Sequence, residues 1–68
     1  MNIEFITEEQ LWDYETTRYW FDVDGDDYAI SDCNGDINLI NLSGEGLTLD
    51  GLNLKIFEAL SELYLNEV

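Results

Sequence analysis

Histidine is absent from this 68-residue chain, and cysteine occurs once. Without histidine there is no Cys-His metal centre and no nucleophile activated by an imidazole. Cys33 has no second cysteine in the chain to form a disulfide with, which suits a reducing cytoplasm. Base is almost as scarce: Lys plus Arg is 2 against 16 for Asp plus Glu, a formal charge of −14. Direct binding of DNA or RNA needs cationic contacts to phosphate, so this balance excludes it. Apolar runs are only a few residues long and the start, MNIEFITEEQ, is acidic, so neither a membrane span nor a secretory leader is expected.

Hydrophobic residues make up 46% of the chain and aromatics 13%, enough for residues 1–68 to fold as a single small domain. Self-repulsion at this charge density weakens the compact state, most at low salt. A chain that carries such a penalty either stays soluble by it or uses it to meet something basic.

Residues 19–42, YWFDVDGDDYAISDCNGDINLINL, organise the rest. Asp24-Gly25 and Asn34-Gly35 are dipeptides suited to two-residue type I′ turns, where both central residues need φ > 0. Centring the turns there sets Val23 opposite Asp26, Asp22 opposite Asp27, Phe21 opposite Tyr28 and Tyr19 opposite Ile30. Around the second turn Cys33 meets Asp36, Ile30 meets Leu39, and Ala29 meets Ile40. Alternation then gives one core face of Tyr19, Phe21, Val23, Tyr28, Ile30, Ile37 and Leu39. The other face collects Trp20, Ala29, Ile40 and Leu42, beside Asp22 and Asp27. Like charges directly opposite each other cost stability, and a large ring next to carboxylates is a common make-up for a contact patch. The plainer alternative has an N-terminal helix covering Trp20 while the acids point into water.

On the N-terminal side, Thr7 and Gln10 form a Thr-x-x-Gln capping box with Ile6 and Leu11 as a hydrophobic staple. A short helix from about 8 to 15 is expected, showing Leu11, Trp12 and Tyr14 on one side. On the C-terminal side, Leu49, Leu52, Ile56, Ala59, Leu60 and Leu63 recur at helical spacing, widened by Phe57 and Tyr64. A long helix from roughly 49 to 66, capped by Thr48, is expected on the core face of the sheet. A hairpin turning at Asp50-Gly51, with the helix starting after Asn53, is the rival. Leu54 and Leu65 project off the stripe, so the chain is expected to be a monomer or a helix-mediated homodimer. The fold class is therefore α+β: short N-terminal helix, three-stranded antiparallel meander, long C-terminal helix packed on one sheet face.

Oxygen-rich turns recur at 22–26, 32–36 and 41–45, and such loops suggest calcium. The EF-hand pattern fails in detail, because glycine falls at the fourth position and Cys33 or Ser43 stands where a bidentate Glu is needed. Repeated hairpin turns use the same residues. Paired carboxylates invite acid–base chemistry, but so small a chain offers no evident substrate cleft, and Cys33 sits beside acids that disfavour its thiolate. No enzyme activity, cofactor or metal is expected.

Mimicry of nucleic acid uses the most observations. Duplex DNA carries one charge per ~1.7 Å of axis, so −14 matches about seven base pairs. Such a surface is steered to a basic nucleic-acid-binding groove and competes there with the true ligand. The candidate contact residues are Asp22, Asp24, Asp26 and Asp27, then Asp32 and Asp36 at the second turn, with Trp20 as apolar anchor.

The segment Asp24-Gly25-Asp26-Asp27-Tyr28-Ala29-Ile30-Ser31, in a small, proline-free, strongly acidic chain, resembles a hairpin of the phage-encoded inhibitors of bacterial defence, the anti-CRISPR and anti-restriction proteins. The resemblance covers about a dozen residues. It implies a non-enzymatic inhibitor, acting in the host cytoplasm on a basic nucleic-acid-binding protein such as a CRISPR effector or a restriction enzyme. An immunity protein against a basic nuclease toxin would use the same physics. A small calcium-binding module is the third reading.

Overall fold

The computed structural model describes residues 1–13 and 15–67, with side chains up to Tyr64. Strands β1 (Ile3–Gln10), β2 (Thr16–Val23), β3 (Asp26–Cys33) and β4 (Asp36–Asn41) form one antiparallel sheet in the order β1-β2-β3-β4. Helix α1 (Gly51–Glu67) follows.

Two expectations about the fold are overturned. The segment read as a helix from 8 to 15 begins as the end of β1, at Glu8, Glu9 and Gln10, and runs on into the turn that follows, so the sheet has four strands and there is no N-terminal helix among the described residues. The Thr7–Gln10 pair caps nothing; both residues lie in the ladder, Thr7 opposite Trp20 and Gln10 opposite Thr17. Pairing with β2 brings seven residues of β1 into the ladder at once, which outweighs a short local capping signal. The chain turns after Leu11 through Asp13. Its Oδ1 accepts the amides of Glu15 and Thr16 at 3.0 Å, and its Oδ2 accepts the Thr16 hydroxyl at 3.1 Å. Those backbone donors hold the Asp13 carboxyl below its ordinary pKa. Trp12, at this turn, is 88% exposed. Tyr14, assigned to the same expected helix, lies outside the described residues, as does the side chain of Leu65.

The meander forms in the expected register. Val23 faces Asp26, Asp22 faces Asp27 and Phe21 faces Tyr28, while Cys33 faces Asp36 and Ala29 faces Ile40. Asp24 and Gly25 take φ of 51° and 92°, and Asn34 and Gly35 take 53° and 93°. Both turns thus use the left-handed pair that type I′ geometry demands.

The core lies between the sheet and α1. Tyr19, Phe21, Val23, Ile30 and Leu39 from the strands meet Ile56, Leu60 and Tyr64 from the helix, and Ile3, Tyr28, Leu47, Phe57 and Leu63 pack around them. Phe21, Ile30, Leu39 and Leu60 are fully buried, each contributing roughly 1.5–3 kcal/mol relative to exposure. Ile37, expected in the core, is exposed, and so are Leu49 and Leu52 of the expected helical stripe. The helix starts at Gly51, with the amide of Leu54 bonding to Asp50 O at 3.3 Å. Thr48 instead accepts the Asn53 side-chain amide at 3.1 Å.

The two sheet edges differ. Beyond β4 the chain doubles back, pairing Gly46 with Ile40 and bonding the Leu47 amide to Leu39 O at 2.9 Å. The outer edge of β1 carries Glu4, Glu8 and Glu9, charges that discourage addition of another strand. No helix among the described residues is long and apolar enough to cross a membrane.

Candidate functional site

The face of the sheet away from α1 is built row by row by cross-strand pairing. Glu4, Asp22 and Asp27 form one row across β1, β2 and β3. Thr7, Trp20, Ala29 and Ile40 form the next, and Glu9, Arg18, Ser31 and Asn38 the one after. Neighbouring strands lie about 4.8 Å apart, so the three carboxylates of the first row fall within about 10 Å. Asp24 and Asp26, both exposed, continue the charge around the adjoining turn. Five acids therefore gather at one end of the sheet.

Glu4 is the member of this set that sequence reasoning missed. Its role becomes visible only once residues 3–10 are a strand. The alternation that would have shown it is broken by a β-bulge: the register shifts between Phe5 and Thr7, leaving Ile6 as the extra residue. The signal that could have found it is Ile3-Glu4-Phe5, apolar–acid–apolar.

The structure divides the expected site residues. Trp20, Asp22, Asp24, Asp26 and Asp27 lie near the β2–β3 turn. Asp32 and Asp36 flank the β3–β4 turn at the opposite end of β3, about 20 Å away along the strand. Asp32 also points to the helix side, where its Oδ2 accepts the Tyr64 hydroxyl at 2.6 Å and its Oδ1 accepts the Gly35 amide at 3.0 Å. Asp36 is exposed, opposite Cys33. A single contact surface thus takes in the first group and leaves these two aside.

Several groups near the acidic end have structural partners. The Asp24 carboxylate accepts the Asn2 amide at 2.8 Å, while the Asp24 amide donates to Asn2 O at 2.9 Å, tying the turn to the start of β1. Trp20 is half-buried and donates its indole N–H to Glu9 Oε1 at 3.1 Å. That bond, and not a covering helix, holds the ring on the sheet. Arg18 extends over the same face until its Nη2 stands 4.0 Å from where a Cβ on Gly44 would be, and its Nε is buried without a hydrogen-bond partner. Arg18, Trp20 and the 42–46 connection together shield Ala29 and Ile40, which are buried although no helix lies over them.

The helix side carries a different arrangement. The rings of Tyr19 and Tyr64 pack against each other with centroids 4.4 Å apart and planes tilted by 56°. The bond to Asp32 pushes the Tyr64 hydroxyl pKa up to about 12, with burial adding to it, while burial raises Tyr19 with a smaller push from Glu8. Both hydroxyls stay protonated far above neutrality, which suits structural roles.

Among the described residues no group of three or more His, Cys, Asp or Glu side chains is placed to hold a metal ion. Asp24-Gly25 and Asn34-Gly35 close the two hairpins of the meander. Comparison with protein-family models, with curated proteins and with solved structures finds no match.

Proposed function

We propose that this protein is a non-enzymatic inhibitor, acting in the cytoplasm, whose acidic sheet end occupies the nucleic-acid-binding groove of a basic protein such as a host defence nuclease or CRISPR complex. The observation that carries the reading is the row Glu4–Asp22–Asp27, continued by Asp24 and Asp26. Carboxylates set opposite one another repel, so the row costs stability and contributes nothing to the core. Groups kept at a cost to folding are commonly kept for binding. A partner groove that spaces cations for phosphates would supply the neutralisation the fold withholds, and the net charge of −14 would speed the encounter. Unlike a nucleic acid, the surface offers carboxylates on a rigid sheet, so its fit to the groove needs no ordering of a flexible chain.

The test is affinity capture from nuclease-treated bacterial lysate with the tagged protein, washed at low and then high salt. A companion variant combines Asp22→Asn, Asp24→Asn, Asp26→Asn and Asp27→Asn with Glu4→Gln. Capture of a nucleic-acid-handling protein by the wild type alone, released by salt or by added DNA, is the expected outcome. Equal capture by the variant, or capture of nothing basic, would mean that the charge serves solubility.

A further inference from the structure

Beside the acidic end lies a cleft of about 560 Å³, between the β2–β3 turn, the connection after β4 and the start of α1. Asp26 and Tyr28, on the α1 side of β3, form one wall, Asp27 stands at the rim with its side chain on the far face, and Leu42, Leu47 and Asn53 line the other side. We infer that this cleft is a pocket for one arginine side chain of the partner. The inference rests on the proposal that the acidic end meets a basic protein, and it adds which cation is read and where.

Each part of an arginine has a counterpart here. Planar carboxylates accept the forked N–H groups of a guanidinium in pairs. The face of a tyrosine attracts a cation, and guanidinium, being planar and weakly hydrated, stacks there at less cost than ammonium. Leu42, which is 71% exposed, and Leu47 offer apolar surface to the methylene stem. Asn53 spends one of its two amide N–H groups on Thr48 O, and its Oδ1 is an acceptor for a guanidinium N–H. Asn41 shapes the wall, its Oδ1 being taken by the amides of Ser43 and Glu45 at 3.0 and 3.1 Å.

Other occupants fit less well. The Asp26 carboxylate, with Asp27 at the rim, repels a phosphate or a nucleic acid. A divalent ion needs more oxygen ligands than the described residues bring together. A neutral apolar molecule would leave the Asp26 carboxylate facing it unpaired.

The experiment is a chemical-shift titration of the full-length, isotope-labelled protein with N-acetyl-argininamide at low salt, with the lysine and citrulline analogues as comparisons. Shifts are expected to centre on Asp26, Asp27, Tyr28 and Ser43, with argininamide binding about threefold tighter than lysinamide and citrullinamide, which lacks the charge, causing no localised shifts. Asp26→Asn should weaken argininamide by up to about fivefold, the range of a solvent-exposed ion pair. Ser43→Tyr, which fills the cleft and leaves every carboxylate in place, should abolish the localised shifts. Shifts spread evenly over remote acids such as Glu45, Glu58 and Glu62, or equal response to lysinamide, would overturn the pocket. So would undiminished binding to Ser43→Tyr. The same Ser43→Tyr protein in the capture experiment separates the two proposals. If it still captures the partner while the five-residue acid variant does not, the pocket is wrong and the acidic surface stands. If wild type and acid variant capture equally, the acidic surface falls, and the titration still decides whether the cleft takes arginine.

Discussion

The two hairpin turns of this sheet have nearly the same backbone and put their acids to opposite uses. At the β3–β4 turn, Asp32 is fully employed: one oxygen takes the Gly35 amide and the other the Tyr64 hydroxyl, so the carboxylate ties the turn to the helix. At the β2–β3 turn, Asp24 fastens the start of β1, but Asp22 and Asp27 oppose each other and Glu4 extends their row. The φ values at the two turns agree within a few degrees. Turn geometry therefore explains neither the surplus of acid at one end nor the tyrosine partner at the other. An aspartate in a turn has to be judged by what its oxygens touch.

The largest effect should come from breaking the employed acid. Tyr64→Phe removes the hydroxyl from Asp32 and keeps the ring on Tyr19, and it should cost about 1.5–3 kcal/mol, the range for hydrogen bonds to charged groups. Urea unfolding with an unchanged slope would measure it. The same bond has a pH signature. Tyr64 is neutral in the folded state up to about pH 12, whereas in the unfolded chain it ionises near the ordinary tyrosine value of 10.0. Between these values the unfolded state binds fewer protons, so stability should fall as pH rises through that window. Tyr64→Phe should flatten the fall, leaving the smaller share due to Tyr19, whose pKa is also raised.

A middle-sized effect tests whether the two turns are alike as backbone. Gly25 and Gly35 have open space where a Cβ would go, so substitution meets no clash and only the positive φ is charged against it. Gly25→Ala and Gly35→Ala should each cost about 1–2 kcal/mol, and by equal amounts. A clear inequality in thermal or urea midpoints would show that the turns differ in more than their side chains.

Much of this contrast was legible in the sequence, and the part that was not has a physical cause. Asp24-Gly25 and Asn34-Gly35 set the register of three strands because so few residues accept φ > 0. From that register the opposition of Asp22 and Asp27 followed without a structure. The N-terminal strand was hidden twice over. The bulge at Ile6 breaks its period of two, and the β1–β2 turn lacks a glycine signal because the Asp13 side chain closes it instead. With the end of β1 mistaken for a helix, Glu4 could not join the acidic row, and Trp12 passed for a helix residue although it is exposed at a turn. Asp32 was grouped with the acidic surface because its neighbour Tyr64 is 32 residues away in sequence, and alternation along a strand cannot reveal a helix hydroxyl.

The smallest effects decide the central claim, because they differ in sign. Asp27→Asn and Asp32→Asn should be compared by urea unfolding at low ionic strength. Asp27→Asn relieves the repulsion from Asp22 and should raise stability by up to about 1 kcal/mol, a gain that shrinks as salt screens the pair. Asp32→Asn keeps the shape and weakens a charge-assisted bond, and it should lower stability. Opposite signs are the result expected if one turn's acid holds the fold and the other's is held at a cost. A fall in stability for Asp27→Asn as well would make the acidic row structural and remove the ground for assigning it to a partner.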